Sequence, residues 1–414
     1  MNRLLPAVAA LLLAGCSPGA PVGRPERLVL IVVDMLRADH LGCFGGASPT
    51  PVIDRLASEG TPYPQVVAAF HQTTMSMASI FTGQTPSLES GDVRAPLAWN
   101  GRTWCGMARY ATPGDDGCIP LSLGTLAEAL REAGYRTIGI ASNPLTFEPG
   151  GYRQGFEDWT EVGTVVETLA IDQPIALTRA AGPVNDAVAR ALARRGDDRF
   201  FLYVHYMDVH DYQVTGTSYE TAVEAVDAAV GSLLEQLRGA GLLANTAVVL
   251  TSDHGERLGE KHALSGMPGH FGNPSFETLL RVPLIVWPRS TRPVPAVFRG
   301  QDTRRLIEGL AGIDEPASSE LREDEVLLTE RWFLSYRRYP WKSLRDRRDG
   351  RLHLFNLAED PGEQRDVAAE HASVAREHEE RIAVLAASLS APARSESGLT
   401  ESDKERLRAL GYLD

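Results

Sequence analysis

Residues 246–256, TAVVLTSDHGE, are the stretch on which the fold prediction rests. An apolar, β-branched run stops abruptly at Asp253 and His254, and Gly255 follows. So short and apolar a run is typical of a strand that is buried on both faces. In open α/β sheets, ligands bind in the crevice beyond the carboxyl ends of the strands. We therefore predict that Asp253 and His254 serve chemistry, although a capped strand end followed by a turn would have the same pattern.

Further apolar runs of strand length occur at Leu28–Asp34, Thr137–Ser142, Phe200–Tyr206 and Val282–Trp287. Helical patterns separate them, such as Tyr219–Leu237, in which apolar residues recur three and four positions apart. This alternation predicts an α/β fold with a mostly parallel central sheet flanked by helices. Polar residues gather where the strands end, and we expect them to share one crevice: Asp34, Asn143, His205, Asp208, His210, Asp253 and His254.

The C-terminal part of the chain has a different pattern. Residues 325–357 contain short strand-like pieces and the charged turn RDRRDG (residues 345–350), which predicts an antiparallel hairpin. A charged helical stretch follows at Ala368–Ser388. We predict a catalytic α/β domain over residues 27–295 and a small C-terminal α+β subdomain, with the hairpin and helices, over residues 296–414.

The N-terminus predicts export. The apolar stretch Leu4–Leu13 is too short to span a bilayer but long enough for a secretory signal. It ends in LAGC at Cys16, which resembles the lipobox of bacterial lipoproteins. We therefore expect a signal peptide over residues 1–15, a lipid on Cys16 and a tether over residues 16–26, so that the protein is anchored to the membrane of a bacterial envelope. An ordinary signal peptide with an incidental cysteine is the alternative.

Charge and cysteine content add two expectations. The 414-residue chain has a formal net charge of -13, which argues against nucleic acid as a partner. Export makes disulfides possible. Cys105 and Cys118 bracket a Gly/Pro/Asp-rich segment and are predicted to be linked, which leaves Cys43 as a buried, inert thiol.

Residues 71–83, HQTTMSMASIFTG, place Thr73 and Thr74 just before a segment able to form a helix. A hydroxyl at a helix N-terminus lies at the positive end of the macrodipole, beside unpaired backbone N–H groups. This position favours an alkoxide and an incoming anion. A threonine that merely caps the helix is the alternative. A divalent metal held by Asp34, Asp253 and His254 favours the chemical role, because coordination lowers the pKa of a hydroxyl.

The order of the motifs resembles that of the sulfatase family in the alkaline-phosphatase superfamily. The resemblance rests on VVDMLRADHLGCFGG, SIFTG, VHYMDVH, TSDHGE, GHFG, RVPLIVW and the tail motifs LHLFNLAEDPGE and LRALGYLD, which span nearly the whole mature chain. It implies an alkaline-phosphatase-like fold. It also implies roles for single residues: Asp34, Asp253 and His254 as metal ligands, Thr73 as nucleophile and metal ligand, His210 as the histidine that contacts the ester, His270 where sulfatases usually have a lysine, and Asn143 near their usual Lys/His pair.

Two departures from the family pattern bear on the mechanism. Classical sulfatases carry a Cys or Ser matured to formylglycine, followed four residues later by an Arg, whereas this chain has Thr73 and Met77. Met35 replaces the second Asp of the usual Asp-Asp pair, which removes one oxygen ligand. The remaining set resembles the single-metal sites of lipoteichoic-acid-synthase-like enzymes. One divalent ion is expected, with manganese or zinc favoured and calcium or magnesium possible.

The leading hypothesis is a metal-dependent hydrolase of the sulfatase family that cleaves a sulfuric, phosphoric or phosphonic ester through Thr73. We expect a small-molecule, glycan or lipid ester as the substrate, with His210, His270 and Asn143 as catalytic groups and His205 and Thr74 as substrate contacts. His205 could equally be a core histidine. A second metal at Asp208, His210 and His270, as in the phosphodiesterase branch, is the less favoured variant. The rival hypothesis is an inactive lipoprotein with a binding or structural role, and Met35 and Met77 favour it.

Overall fold

The computed structural model describes residues 24–86, 105–107, 110, 118–147, 150–163, 178–195, 199–266, 269–270, 273–313, 321–330 and 332–389. The predicted signal peptide, Cys16 and nearly all of the predicted tether lie outside these residues. Within the described ranges, no helix combines the length and the apolar character needed to span a bilayer.

The described chain alternates strands and helices over most of its length. The strands are β1 (Arg27–Val33), β2 (Thr61–Pro62), β3 (Val66–Val67), β4 (Arg136–Ala141), β5 (Asp158–Glu161), β6 (Phe200–Tyr206), β7 (Thr246–Thr251), β8 (Leu284–Trp287), β9 (Phe298–Arg299), β10 (Val326–Thr329), β11 (Phe333–Arg338), β12 (Trp341–Asp346) and β13 (Leu352–Asn356). The helices are α1 (Pro51–Glu59), α2 (Thr73–Thr82), α3 (Leu126–Glu132), α4 (Ala181–Arg194), α5 (Tyr219–Gly239), α6 (Glu277–Leu280), α7 (Asp302–Leu310) and α8 (Ala372–Leu389).

The central sheet has seven strands in the order β2-β8-β7-β1-β6-β4-β5. The five strands from β7 to β5 run parallel, and β8 pairs antiparallel with both of its neighbours. Every residue of β6 and β7 is buried, as expected for strands covered on both faces. Helices α1, α4 and α5 pack on one face, and α2, α3 and α7 pack on the other. The predicted α/β fold with a mostly parallel sheet is confirmed.

The strand register brings the predicted site residues together. Val32 of β1 lies opposite His205 of β6 on one side and Thr251 of β7 on the other. Strands β4 and β6 start in register as well, with Arg136 opposite Phe200. Because these neighbouring parallel strands end at nearly the same level, the residues that follow them lie along one edge of the sheet.

The second sheet is antiparallel and has the order β10-β11-β12-β13. The predicted hairpin is therefore only one pair, β12 and β13, of a four-stranded sheet. The residues just after the predicted start of the C-terminal subdomain pack with the preceding domain. Strand β9 pairs with β3, and Leu306 and Ile307 of α7 lie in the hydrophobic core beside the central sheet. Residues 298–310 thus pack with the central sheet, although we predicted that the subdomain begins at residue 296.

Cys105 and Cys118 form a disulfide, with their Cα atoms 5.6 Å apart. Their sulfur atoms lie 2.9 and 3.6 Å from the Tyr152 hydroxyl, which donates to the carbonyl oxygen of Thr74 at 2.8 Å. The disulfide thereby supports the first turn of α2. Cys43 is a free thiol and is half-buried, whereas we predicted a buried one. Desolvation raises its pKa to about 12, so the thiol stays protonated at neutral pH.

Candidate metal and ester-binding site

Asp34, Asp253 and His254 converge at the carboxyl ends of β1 and β7. Each offers one ligand atom, and these atoms all lie within 4.8 Å of one another. His254 Nε2 lies 3.7 Å from Asp34 Oδ1 and 3.6 Å from Asp253 Oδ2. All three side chains are fully buried. The predicted metal-ligand set is therefore assembled as one cluster.

Each carboxylate in this cluster has one satisfied oxygen and one oxygen without a hydrogen-bond donor. Asp253 Oδ1 accepts the backbone N–H groups of Met35 at 3.3 Å and His254 at 2.9 Å. Asp34 Oδ2 accepts from Asn143 Nδ2 at 2.7 Å. The other two oxygens, Asp34 Oδ1 and Asp253 Oδ2, are buried without a donor among the described residues. A buried carboxylate oxygen is unfavourable unless a donor or a cation compensates its charge. Two such oxygens close to one imidazole nitrogen are suited to bind a divalent cation.

The electrostatics of the two carboxylates differ. Burial and the charge of Asp34 raise the pKa of Asp253. Burial also opposes the charged form of Asp34, but its contact with His205 and the nearby imidazoles of His210 and His254 lower the Asp34 pKa well below its usual range. A bound cation would favour the ionised form of both groups.

Thr73 is the first residue of α2, and its hydroxyl points into the cluster. Thr73 Oγ1 lies 3.3 Å from Asp34 Oδ2, to which it donates, and 3.3 Å from His254 Nε2. The N-cap of α2 is Gln72, so Thr73 does not cap the helix. The capping alternative is therefore wrong, and the hydroxyl is available at the positive end of the helix dipole.

Asn143 orients this hydroxyl. Its Oδ1 accepts the backbone N–H of Leu145 at 2.9 Å, which fixes the direction of the amide. Its Nδ2 then donates to Asp34 Oδ2 at 2.7 Å and reaches Thr73 Oγ1 at 3.3 Å. The amide holds the hydroxyl and the carboxylate together and carries no charge.

Three imidazoles surround the cluster, and each has its Nδ1 held by an acceptor. His254 Nδ1 lies 2.8 Å from the carbonyl oxygen of Gly255, His210 Nδ1 lies 2.8 Å from Asp211 Oδ1, and His270 Nδ1 lies 2.9 Å from Glu256 Oε2. The His270 ring lies between the other two, with centroids 4.7 Å from His254 and 5.8 Å from His210. An Nδ1–H donated in this way makes Nε2 the ring nitrogen that can bind a metal, a substrate or a proton.

His210 and His270 differ in charge. Burial disfavours the charged form of His210, but the hydrogen bond to Asp211 and the charges of Asp34 and Asp211 raise its pKa. Asp211 is itself held by Arg179 through contacts of 2.7 and 2.6 Å. Burial dominates at His270 and lowers its pKa despite Glu256. The charged form is therefore favoured at His210 and disfavoured at His270.

The structure buries two residues that were predicted as substrate contacts. His205 is fully buried on β6, with Nδ1 2.8 Å from the Tyr203 hydroxyl and Nε2 3.3 Å from Asp34 Oδ2. It supports Asp34 from inside the protein, as expected for the core histidine that the sequence left open beside the substrate contact. Thr74 is also buried, and its carbonyl oxygen accepts from Tyr152.

The predicted second metal set is not assembled. Asp208 Oδ1 accepts the backbone N–H of Ala181 at the start of α4. Among the described residues, the His, Cys, Asp and Glu groups whose ligand atoms converge are Asp34, Asp253 and His254 only. The structure thus brings together one metal-ligand set.

Met35 and Met77, which stand where the family pattern has charged groups, are both buried. Met77 lies in the hydrophobic core beneath α2. Met35 has a φ of 61°, an unusual backbone conformation for a non-glycine residue, and only its backbone N–H contacts Asp253. Neither side chain adds charge to the site.

Sequence reasoning missed two residues that orient the imidazoles, Asp211 and Glu256. Both follow predicted site residues closely: Asp211 is adjacent to His210, and Glu256 ends the TSDHGE motif. A carboxylate one or two positions after a predicted site histidine was the signal that could have identified them.

Comparisons with known proteins agree with this geometry. The family model described as Sulfatase matches residues 26–308. An N-acetylgalactosamine-6-sulfatase of Rattus norvegicus is 30% identical over 336 residues, which cover 69% of this chain and 60% of the relative. The chain spans about 60 to 66% of the length of the mammalian relatives that head the matches.

Solved structures show the same fold. A protein in complex with its substrate D-glucosamine-2-N,6-O-disulfate is 18% identical with a TM-score of 0.65, over 88% of this chain and 97% of that chain. An alkaline phosphatase superfamily protein of Vibrio parahaemolyticus is 16% identical with a TM-score of 0.60, over 88% of this chain and 87% of that chain. The predicted alkaline-phosphatase-like fold is confirmed.

The Asp211 carboxylate can be tested as the cause of the raised His210 pKa. Asp211→Asn keeps an acceptor for Nδ1 but removes the negative charge that lies between the His210 ring and the Arg179 guanidinium. Loss of this charge disfavours the imidazolium, so the His210 pKa should fall by about 1 pH unit or more. NMR titration of the His210 ring measures this. Asp324→Asn, at an exposed ion pair with Arg338, is the control. An unchanged His210 titration in Asp211→Asn would contradict the assignment.

Proposed function

Because the chain belongs to the sulfatase family, we propose that it is a metal-dependent hydrolase of sulfuric or phosphoric esters with Thr73 as its nucleophile. The observation that carries the proposal is the position of the Thr73 hydroxyl. It lies at the N-terminus of α2, 3.3 Å from both Asp34 Oδ2 and His254 Nε2. A hydroxyl in this place is activated by a neighbouring cation and by the helix dipole.

Asp34, Asp253, His254 and Thr73 would hold the metal, which lowers the pKa of the hydroxyl and offsets charge on the transferred group. The contacts of His254 Nε2 to the other three ligand atoms are 3.3 to 3.7 Å. Such separations suit an ion bound at about 2.0 to 2.2 Å by nitrogen and oxygen ligands. A set of this size with an imidazole favours zinc or manganese over calcium, which prefers six or more oxygens at longer distances.

The proposed reaction has two steps. Thr73 Oγ1 bonds to the sulfur or phosphorus atom and passes its proton to neutral His270, while protonated His210 donates to the departing alcohol oxygen. Water then attacks the Thr73 ester and gives a proton to His210, and His270 returns its proton to Thr73 Oγ1. The net reaction is an ester plus water giving an alcohol and sulfate or phosphate. This uses the opposite directions in which the pKa values of the two imidazoles are shifted.

Sulfated glycans or small molecules are the substrate class that the comparisons support. The rat relative is named as an N-acetylgalactosamine-6-sulfatase, and one solved structure contains a glucosamine disulfate. Phosphate and phosphonate esters remain alternatives, because the same cation and hydroxyl would serve them.

A binding protein without turnover is the second candidate, and the buried methionines favour it. Met35 and Met77 supply no charge where the family pattern does. Against it, the Thr73 hydroxyl, the two unpaired carboxylate oxygens and two oppositely tuned imidazoles are all in place. A binding protein has no need of a proton donor beside a nucleophile.

Lipid anchoring through Cys16 is part of the proposal. The direction of β1 then determines which end of the central sheet lies near the anchor. The N-terminal segment enters the fold at the start of β1, and Asp34 follows its other end. A strand of seven residues spans about 23 Å. The ligand edge of the sheet is therefore the end away from the anchor, which suits a substrate outside the membrane.

The anchor can be tested by cell fractionation. Cys16→Ser removes the only side chain that a lipobox would modify, so the protein should move from the membrane fraction to the soluble fraction. Cys43→Ser, which leaves the lipobox intact, is the control. Unchanged membrane association of Cys16→Ser would contradict the lipid anchor.

The nucleophile can be tested by substitution of the two adjacent threonines. Thr73→Ala should lower kcat for an aryl sulfate or aryl phosphate by several orders of magnitude, because each factor of ten is only about 1.4 kcal/mol of barrier. Metal binding should persist through Asp34, Asp253 and His254. Thr73→Ser retains a hydroxyl and should retain turnover.

Thr74→Ala is the matched control for this test. It changes the neighbouring residue of the same helical turn, whose structural contact with Tyr152 uses the backbone carbonyl. Its kcat should stay within about a few fold of the original. A Thr73→Ala protein with more than about a tenth of the original kcat, equivalent to about 1.4 kcal/mol, would refute the nucleophile. A metal-loaded original protein that turns over neither ester would favour the binding protein.

A further inference from the structure

The segment from His262 to Glu277 carries His270, which is held locally by its contact with Glu256 and by the N–H of Gly269, which donates to the carbonyl oxygen of Arg257 at 3.0 Å. Within its described part, Asn273 Nδ2 donates to the carbonyl oxygen of Gly269 at 2.7 Å, beside His270. No strand or helix lies between His262 and Phe276 among the described residues. The position of the His270 ring therefore depends on these local contacts together with the anchoring of the two ends of the segment.

Glu363 contacts both ends of this segment. Its backbone carbonyl accepts the N–H of Ala263 at 2.9 Å, and its Oε2 lies 3.4 Å from His262 Nε2. The same Oε2 accepts the N–H of Glu277 at 2.7 Å. One residue of the C-terminal subdomain thus joins the start and the end of the segment that carries His270. We call these three contacts the Glu363 clamp.

Buried charges hold the Glu363 carboxylate in place. Lys342 Nζ lies 2.7 Å from Glu363 Oε1 and 3.1 Å from Glu277 Oε1, and it donates to the carbonyl oxygen of Ser275 at 2.5 Å. Lys342 is fully buried, and Glu363 is 1% exposed. Arg337 Nη1 lies 3.6 Å from Glu277 Oε2, so two glutamates face two cations. Charges buried in such a network are costly to move singly, which makes the clamp rigid.

The backbone at Glu363 shows the same constraint. Its φ is 52°, in the left-handed region that non-glycine residues rarely adopt. Such a conformation persists only where the surrounding contacts over-determine it. The chain turns here so that the carbonyl oxygen and the carboxylate reach the same segment.

We propose that Glu363 is a positioning residue that sets the place of His270 in the active site through the clamp. This rests on the proposed function, in which His270 takes the proton of Thr73. Loosening the clamp moves the His270 ring relative to His254 and Glu256 and slows the chemical step. The C-terminal subdomain is then part of the catalytic apparatus without touching the substrate.

Glu325 provides a matched control. It is also fully buried in the C-terminal subdomain and is paired with an arginine, with contacts of 2.8 and 2.6 Å to Arg381. It also accepts from the Tyr336 hydroxyl at 2.9 Å. These contacts of Glu325 lie away from the segment from His262 to Glu277. Loss of its charge should perturb stability but leave His270 in place.

The test compares Glu363→Gln, Glu325→Gln, His270→Ala and the double variant Glu363→Gln/His270→Ala in the full metal-loaded chain. Glu363→Gln should lower kcat for an aryl sulfate about tenfold or more, since small misplacements of a catalytic group are costly. The double variant should be no slower than His270→Ala alone, because a residue that acts through another shows non-additive effects. Glu325→Gln should keep kcat within about twofold.

Hydrogen–deuterium exchange of peptides from residues 262–277 gives a readout that does not need turnover. Exchange there should increase in Glu363→Gln and stay unchanged in Glu325→Gln. If Glu363→Gln does not fold, the double variant Glu363→Gln/Lys342→Met takes its place in the test, because it removes the two opposite charges together. Multiplicative losses in the double variant, or unchanged exchange in the segment, would overturn the clamp. If the unsubstituted chain has no turnover but Glu363→Gln still increases exchange in residues 262–277, the proposed function is refuted and the structural role of the Glu363 clamp is supported.

Discussion

The carboxylates of Asp34 and Asp253 impose the constraint on which the site depends. They follow adjacent parallel strands in register, so the backbone brings two acidic groups to one buried place. Each has one oxygen satisfied by protein donors, and each leaves the other oxygen without a donor near His254 Nε2. Two like charges in a buried site are unfavourable unless a cation compensates them. The same arrangement that costs stability without a metal creates affinity for one.

The remaining groups are arranged around this pair according to charge. Asn143 and Thr73 supply neutral donors, and the three imidazoles present Nε2 because their Nδ1 atoms are engaged elsewhere. Glu256 connects the strand end at His254 with His270, and Glu363 connects the His270 segment with the second sheet. The residues that support the cluster therefore come from both parts of the chain. The C-terminal sheet also packs on the His270 segment, because Phe333 and Phe355 lie in one apolar cluster with Phe276 of the segment and Leu279 of α6.

The sequence predicted the parts of this arrangement that follow from strand periodicity. An apolar run that ends in a polar ligand identifies both the strand and the end of the sheet, and Asp34, Asn143, Asp253 and His254 were found in this way. Thr73 required the motif resemblance, since a threonine before a helix is more often a cap. Two roles were left open for His205, and the buried contact of its ring with Asp34 favours the core histidine over the substrate contact.

Long-range pairing explains what the sequence could not show. Strand β12 contains Lys342, and lysine is a residue type that is rarely buried unless it is paired. Here it is buried by Glu277 and Glu363, which lie 65 and 21 positions away in the chain. The roles of Asp211 and Glu256 depend in the same way on contacts that only the folded chain reveals.

The most direct test of the account is the effect of zinc or manganese on the melting temperature of the chain and of its Asp253→Asn variant. Without metal, Asp253→Asn should melt at a higher temperature than the original, because it removes one of two facing buried charges. With metal, the original should be strongly stabilised, by about 2.7 kcal/mol at a hundredfold excess over the dissociation constant, and the variant much less. Equal melting temperatures of the original chain with and without both metals would contradict the cation site.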